Sequence, residues 1–292
     1  MYTTTYSRRR MLQRSASAAG LAAFAPLSNL FAREKTTYRV GVCDWSIGKH
    51  SDVEALAFAK ELGLDGVQIS LGTPANNMHL RQKKIQQAYL QAEKQTGVEV
   101  SSLAIGELNR VPYKSDPVTE EWVSDSIDVA KAMGCTVILL AFFSEGDIKD
   151  DKAGTQEVIR RLKKVAPKAE KQGIILGIES WLSANEHLQI IDAVGSPNVR
   201  VYYDVANSQK MGYDIYEEIA RLGTEYICEI HAKENGYLLG QGVVDFKRVK
   251  DILDDIEYSG WIIMEGAQPE GMDKLETYTT NLQYIQSIFN KA

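Results

Sequence analysis

The sequence predicts an α/β protein built as a single (β/α)8 TIM barrel, in which eight parallel strands alternate with helices. Apolar runs of strand length alternate eight times with amphipathic runs of helix length from Tyr38 onward. A chain of 292 residues is also long enough for one such domain. A doubly wound open sheet is the alternative, but the Gly-x-Gly-x-x-Gly turn typical of its dinucleotide-binding members does not follow the first strand.

The predicted strands are short apolar segments at 39–45, 66–70, 99–105, 137–143, 174–181, 199–207, 226–235 and 261–267. Predicted helices follow them at 52–62, 80–96, 120–133, 156–172, 186–194, 213–222, 246–256 and 275–289. A capping box formed by Ser51 and Glu54 is expected to start the first helix. The first five helices are expected to end at glycines, namely Gly63, Gly97, Gly134, Gly173 and Gly195. Polar loops at 109–117 and 144–153 follow strands three and four and are candidates for lids.

Residues 1–33 are predicted to be an export signal, and the barrel is assigned to residues 36–292. A basic segment at 7–13 (SRRRMLQ) precedes a small-residue apolar run at 16–31 that is too short to favour a membrane-spanning helix. Its paired arginines resemble the twin-arginine pattern, which indicates a bacterial protein exported to the periplasm. A frayed basic tail is the alternative. We expect no stable membrane span after processing.

Charge and cysteine content restrict the partners. Cleavage after Ala32 would remove four of the 33 basic side chains and none of the 39 acidic ones, which leaves a formal charge of −10. This acidity argues against a nucleic-acid partner, because a phosphate backbone binds to a basic surface. The cysteines Cys43, Cys135 and Cys228 lie inside or beside apolar runs and are expected to be free thiols. The acidic chain is better suited to a small neutral or weakly polar ligand than to a nucleic acid.

The last four predicted strands each end in a residue able to bind a metal: Glu179, Asp204, His231 and Glu265. Because all strands of a parallel barrel point their C-terminal ends to one face, ligands on neighbouring strands converge there. Three carboxylates and one imidazole suit Mn²⁺, Mg²⁺, Co²⁺ or Zn²⁺, and the lack of thiolate favours an open catalytic site over a structural zinc. Taken singly, each acid is more typical of a salt bridge or a solvated cap. Carboxylates that close buried apolar strands, however, need a compensating charge.

The segments that carry these four residues resemble the xylose isomerase-like barrel superfamily of sugar isomerases and epimerases. Within it they are most similar to the sugar phosphate isomerase/epimerase-like group that includes D-tagatose 3-epimerase. The similarity rests on the Glu of LGIES, the Asp of YYDVAN with GSPNV upstream, the His of IHAKE and the Glu of IIMEG. It implies a sugar or keto-sugar substrate and one divalent metal, often Mn²⁺, that holds two adjacent substrate oxygens. The resemblance leaves open whether such a barrel forms homo-oligomers.

The resemblance also implies that Glu179 and Glu265 flank the reacting sugar carbon as acid/base partners. Removal of a proton next to a carbonyl leaves an enediolate, whose negative charge a metal stabilises. One carboxylate takes the proton on one face and the other returns it on the opposite face, and each such group contributes typically ~10²–10⁴-fold to the rate. The expected result is inversion at that carbon.

Three positions depart from the epimerase pattern, and they put ketose epimerisation itself in doubt but leave the metal chemistry unaffected. Asn207 stands where such epimerases commonly place a substrate-binding His, and Tyr237 where they place an Arg. Asn185, next to Glu186, replaces the Glu that follows the first ligand by six residues. We keep Asn207 and Asn185 as candidate substrate-binding residues.

Four further residues are candidates for binding substrate. Lys233 either reaches a substrate oxygen or pairs with a neighbouring acid. Trp45 and Trp181 either stack on the C–H face of a sugar or fill the barrel mouth. Glu107, after the third strand, is a polar candidate. The histidines His50, His79 and His187 are expected at the surface.

Four functions remain compatible with the sequence. The first is a metal-dependent sugar isomerase or epimerase. The second is a keto-sugar lyase or hydratase that uses the same metal and acid/base pair. The third is endonuclease IV-like DNA repair, against which the acidic chain, the export signal and a total of four histidines argue. The fourth is an exported sugar-binding barrel without turnover, whose mark would be an incomplete ligand quartet.

Overall fold

The computed structural model describes residues 38–289, which form the predicted closed barrel. The strands pair in sequence order, all parallel, and β8 closes the barrel on β1. They are β1 (Arg39–Cys43), β2 (Gly66–Ser70), β3 (Glu99–Ile105), β4 (Val137–Phe142), β5 (Ile175–Ser180), β6 (Val199–Asp204), β7 (Ile227–Glu234) and β8 (Trp261–Gly266). The predicted export signal at residues 1–33 lies outside the described residues, so that prediction stands as it was made.

Helices cover the outside of the barrel. They are α1 (Ala55–Leu62), α2 (Lys83–Thr96), α3 (Val118–Met133), α4 (Lys152–Gln172), α5 (Ala184–Val194), α6 (Val205–Lys210), α7 (Ile215–Tyr226), α8 (Phe246–Asp255) and α9 (Lys274–Phe289). The five glycines predicted to end helices all adopt the left-handed conformation at the C-terminus of their helix, as expected for Gly63, Gly97, Gly134, Gly173 and Gly195.

Two predicted boundaries were wrong for physical reasons that bear on the site. The capping box of Ser51 and Glu54 does not form, because the Ser51 N–H donates to the buried carboxylate of Asp44 and α1 begins only at Ala55. The sixth strand ends at Asp204 instead of position 207, because the Asp204 side chain caps the short helix α6 that follows at once.

The interior of the barrel is filled by side chains from alternate strand positions. An apolar cluster of Ala104, Leu139, Ala141 and Tyr202 lies inside, while a larger cluster joins the outer strand faces to the helices. The interior is close-packed at Gly177 of β5, where an added Cβ would come within 2.7 Å of Cys228 Sγ.

Two further observations concern cysteines and helices. The three cysteines are free thiols, as predicted, with Cys43 and Cys135 buried and Cys228 half-buried. Between residues 38 and 289, none of the helices combines the length and apolarity that crossing a membrane requires.

Candidate metal centre and active site

The C-terminal ends of β5 to β8 bring the four predicted ligands together. One donor atom from each of Glu179, Asp204, His231 and Glu265 lies within 4.8 Å of the other three. Nδ1 of His231 is 2.9 Å from Oε1 of Glu179, 3.5 Å from Oε2 of Glu265 and 3.9 Å from Oδ2 of Asp204. The convergence follows from strand register, since Asp204 pairs with His231 across β6 and β7 while Lys233 pairs with Glu265 across β7 and β8.

Asp204 is oriented by the helix that it caps. Its Oδ1 accepts hydrogen bonds from the backbone N–H groups of Ala206 and Asn207, each at 2.8 Å. Its Oδ2 is buried, accepts no hydrogen bond and lies 3.3 Å from Nζ of Lys233. The lone pairs of this oxygen are not used by a hydrogen bond, and it lies beside the other three donor atoms, so it fits a metal ligand.

The charges of the cluster are strongly coupled. Although burial opposes its ionisation, the carboxylates of Glu179 and Glu265 raise the pKa of His231 to about 9. Burial also disfavours ionised Glu265, but the charges of Lys233 and His231 lower the pKa of that carboxyl to about 2. Burial raises the pKa of Asp204 to about 7, against the opposing charge of Lys233. Three acids with two nitrogen cations as partners form a donor set that fits a divalent ion, which would replace the proton on the imidazole.

The ligand quartet borders a cavity of about 440 Å³ at the same face of the barrel. Five of the six candidate substrate-binding residues line it together with two of the quartet: Trp45, Glu107, Trp181, Asn207, Lys233, Glu179 and Glu265. The structure therefore brings these predicted residues to one place, and their roles toward a substrate remain predictions.

Lys233 and Trp45 both bind the carboxylate of Glu265. Nζ of Lys233 donates to Oε2 at 2.7 Å, and Nε1 of Trp45 donates to Oε1 at 3.0 Å. Lys233 was predicted either to reach a substrate oxygen or to pair with a neighbouring acid. In the structure it forms an ion pair with Glu265. The indole of Trp181 contacts the ring of Phe143 edge-on, with ring centroids 4.8 Å apart. Aromatic faces of this kind can pack on the C–H surface of a sugar.

Asn185 is the candidate that the structure does not bring to the cavity. It lies in the first turn of α5 with an exposed side chain, whose Oδ1 accepts a hydrogen bond from Arg221 of α7. Tyr237 is likewise not among the residues that line the cavity, and it is 55% exposed. The expectation that His79 and His187 lie at the surface was wrong, because both are buried.

Sequence reasoning missed several residues at the cavity. Arg110, Asn109, Ser70 and Phe143 line it, as does the exposed His50. They lie in loops or at strand ends without a local motif, so only their proximity to strand C-terminal ends could have indicated them.

The two loops predicted as lid candidates are hydrogen-bonded to each other. Lys114 donates to the backbone carbonyl of Asp147 at 2.5 Å and forms an ion pair with Asp151 at 3.0 Å. The Asn109 side chain accepts a hydrogen bond from the Phe143 N–H at 2.9 Å. Of these two loops, the first contributes Asn109 and Arg110 to the cavity lining.

The fold and the four-residue donor set define a (β/α)8 barrel with a candidate divalent-metal centre at its C-terminal face. The chain belongs to the xylose isomerase-like TIM barrel family, whose family model matches residues 56–288. Its curated relatives are sugar epimerases. One is the 2-epi-5-epi-valiolone 7-phosphate 2-epimerase of an Actinoplanes species, 26% identical over 199 residues that cover 68% of this chain and 73% of the relative.

Solved structures of epimerases have the same fold. The 3-keto-D-glucoside 4-epimerase YcjR from E. coli, in its apo form, is similar with a TM-score of 0.71 and 15% identity, covering 86% of this chain and 100% of that one. A D-psicose 3-epimerase crystallised in the presence of D-fructose has a TM-score of 0.70 and 16% identity, covering 87% of this chain and all of its own. These similarities confirm the barrel, and they agree with the family that the sequence motifs indicated.

Proposed function

We propose that this protein is a divalent-metal-dependent epimerase that inverts a sugar carbon next to a carbonyl group. One observation carries the proposal. Of the four residues in the metal cluster, Glu179 and Glu265 also line the cavity, so both carboxylates face the space that a substrate would occupy. An epimerase removes a proton from one face of the sugar carbon and returns one to the other face, which requires two carboxyl groups next to the bound sugar.

The surroundings of Glu265 prepare it to act as a base. Hydrogen bonds from Lys233 and Trp45 stabilise its carboxylate, and the depressed pKa keeps it ionised across the neutral range. In one direction ionised Glu265 takes the proton from the sugar carbon, and Glu179, which enters the reaction protonated, donates its proton to the opposite face and is left as the carboxylate. In the reverse direction the two residues exchange roles. A bound divalent cation would polarise the substrate carbonyl and offset the negative charge of the enediolate.

We further propose that the substrate is a keto-sugar or keto-glycoside without a phosphate group. Within the described residues that line the cavity, both lysine and arginine side chains are already paired. Lys233 binds Glu265, and Arg110 donates to the buried carboxylate of Glu107 at 2.7 Å. A phosphate dianion placed near Glu107 would be repelled by that carboxylate. Hydroxyl groups would instead be good donors to it.

Export is part of the same proposal. We propose that the segment before the barrel directs the protein to the periplasm through a twin-arginine signal. Phosphorylated intermediates of the cytoplasm are unsuited as substrates outside the inner membrane, which agrees with the proposed class of unphosphorylated substrates. We propose Mn²⁺ as the metal, because the ligand set suits this ion among others and the resemblance to the epimerase group implies it.

Incubation in D₂O tests the proposed reaction. The mature protein, supplied with Mn²⁺, is given ketoses, 3-keto-glycosides and the matching sugar phosphates, and the products are analysed by NMR and mass spectrometry. We expect one solvent deuterium at the epimerised carbon of an unphosphorylated compound, and none with Glu265→Gln. Asn185→Ala, at the exposed position outside the cavity, is the matched control and should keep full activity.

Other outcomes would contradict parts of the proposal. Formation of a new double bond or of a hydrated product would show that the protein is a lyase or hydratase, which uses the same acid/base pair, and not an epimerase. Exchange only with phosphorylated sugars would overturn the proposed substrate class. Binding without deuterium exchange in any compound would make the barrel a sugar-binding protein.

A further inference from the structure

A chain of polar side chains crosses the otherwise apolar barrel interior and ends on the imidazole of His231. We propose that Gln68, Ser102 and Glu229 are positioning residues, which hold His231 in the tautomer and orientation that direct its Nδ1 to the divalent cation. The inference rests on the metal centre and is independent of the sugar that the protein acts on. None of these three residues is among the ligands, and none lines the cavity.

The hydrogen bonds of this chain are continuous. Nε2 of His231 lies 2.9 Å from Oε1 of Gln68. Nε2 of Gln68 donates to the hydroxyl of Ser102 at 3.0 Å, and that hydroxyl donates to Oε2 of Glu229 at 2.7 Å. All four side chains are buried, with exposed fractions of 1% or less. Solvent therefore offers no alternative partner, and each group depends on its neighbour in the chain.

The order of donors and acceptors determines the tautomer. A carboxylate only accepts, so the Ser102 hydroxyl donates to Glu229 and keeps its lone pairs for the amide N–H of Gln68. The carbonyl oxygen of Gln68 is then the atom that faces His231, and it can only accept. Nε2 of His231 must carry a proton to use this bond. The lone pair for a metal is therefore on Nδ1, the nitrogen that faces the three carboxylates.

The ring is also held in place by its neighbours. The thiol of Cys43 donates to the same Gln68 oxygen at 3.3 Å, so that this oxygen has two hydrogen-bond partners. The ring of Tyr202 lies against the imidazole with centroids 4.4 Å apart, and Trp45 contacts it edge-on at 6.3 Å. Rotation of the imidazole would break its bond to Gln68 and turn Nδ1 away from the ligand cluster.

A general packing role does not explain why Gln68, Ser102 and Glu229 are polar. Interior positions of such barrels are usually filled by branched apolar residues. Polar side chains there are unfavourable unless each of them has a hydrogen-bond partner. The three residues lie on β2, β3 and β7, while the carboxylates of the ligand quartet come from β5, β6 and β8. The chain thus approaches His231 from the side opposite to the acids, where a partner for the second ring nitrogen is needed.

Metal affinity separates a positioning role from a packing role. We would measure Mn²⁺ binding by isothermal titration calorimetry for the wild type, Gln68→Leu and Ser102→Ala. Ser101→Ala is the matched control, because Ser101 is the preceding buried serine of β3 and its hydroxyl has no hydrogen-bond partner. We expect Mn²⁺ binding to weaken by about 10- to 100-fold in Gln68→Leu and by a smaller factor in Ser102→Ala. Ser101→Ala should bind like the wild type.

A second readout reports the tautomer directly. In ¹H–¹⁵N spectra of the Zn²⁺-loaded wild type, we expect a slowly exchanging imidazole proton on Nε2 of His231, which His231→Ala should remove. In Ser102→Ala this proton should exchange faster, and thermal unfolding without metal should occur at a lower temperature than in Ser101→Ala, because Gln68 and Glu229 lose their shared partner. If Gln68→Leu does not fold, the comparison of Ser102→Ala with Ser101→Ala still tests whether the polar side chains position His231.

Three results would overturn the inference. Equal Mn²⁺ affinity in Ser102→Ala, Ser101→Ala and the wild type would reduce the chain to a packing feature while leaving the metal centre intact. A Zn²⁺-loaded wild type whose His231 carries its proton on Nδ1 would contradict the assigned direction of every bond. A wild type that binds no divalent ion would refute the metal centre itself, and this inference with it.

Discussion

The buried histidine of α5 predicts a specific dependence of stability on pH. Nε2 of His187 lies 3.0 Å from the hydroxyl of Ser180 at the end of β5, and Nδ1 lies 3.0 Å from the backbone carbonyl of Ser183. Nδ1 therefore donates to the carbonyl, and Nε2 accepts from the hydroxyl in the neutral form. The bond to Ser180 fastens α5 to the strand that carries Glu179.

Burial lowers the pKa of His187 from 6.5 to about 4. The native state thus favours the neutral ring, and the stability that this provides is complete above the unfolded-state pKa and lost as the pH falls toward the folded-state value. The shift corresponds to about 3 kcal/mol in total, since one pKa unit is about 1.4 kcal/mol. About 2 kcal/mol of this should be lost between pH 7 and pH 5.

Urea unfolding at a series of pH values measures this effect. The free energy of unfolding of the wild type should fall more steeply below pH 6.5 than that of His187→Gln, by about 2 kcal/mol at pH 5. Other titrating groups contribute equally to both proteins and cancel in the difference. His50→Gln, at an exposed histidine, should follow the wild type. A difference between wild type and His187→Gln that does not change with pH would refute the reasoning.

Three further substitutions give distinct outcomes. Lys233→Met removes the cation 2.7 Å from Glu265, so Mn²⁺ should bind at least about 10-fold more tightly while turnover falls, as chelator competition and kcat would show. Trp45→Phe removes the N–H that donates to Glu265 but keeps an aromatic ring, so kcat should fall about 10-fold with unchanged metal content, and an unchanged kcat would contradict this role. Gly177→Ala places a Cβ within 2.7 Å of Cys228 Sγ and should lower the free energy of unfolding by about 1–3 kcal/mol in urea titrations, which a neutral effect would contradict.

The ligand quartet could be predicted because two general rules act together. Each ligand is the polar residue that closes an apolar strand, and in a parallel barrel consecutive strand ends are neighbours in space. Neither rule needs the detailed packing of the protein. The same logic explains why Trp45, Trp181 and Lys233, all at or near strand ends, also reach the cavity.

Residues whose position depends on helix phase or long-range packing could not be predicted. Asn185 lies six positions after Glu179, but it falls on the outer face of α5 and contacts α7. The bond between Gln68 and His231 joins residues 163 positions apart. Its local signal was a polar residue inside an apolar strand, as in GVQIS, and this does not indicate the partner. The failed cap at Ser51 has a similar cause, because tertiary contact with Asp44 overrides the local motif.

Metal analysis of the purified mature protein tests the central claim most directly. The account predicts about one divalent ion per natively folded chain, retained in Asn185→Ala and lost in both Glu179→Ala and His231→Ala. A folded wild type without bound divalent metal, even after incubation with Mn²⁺, would contradict it, as would full retention of the ion in both ligand variants.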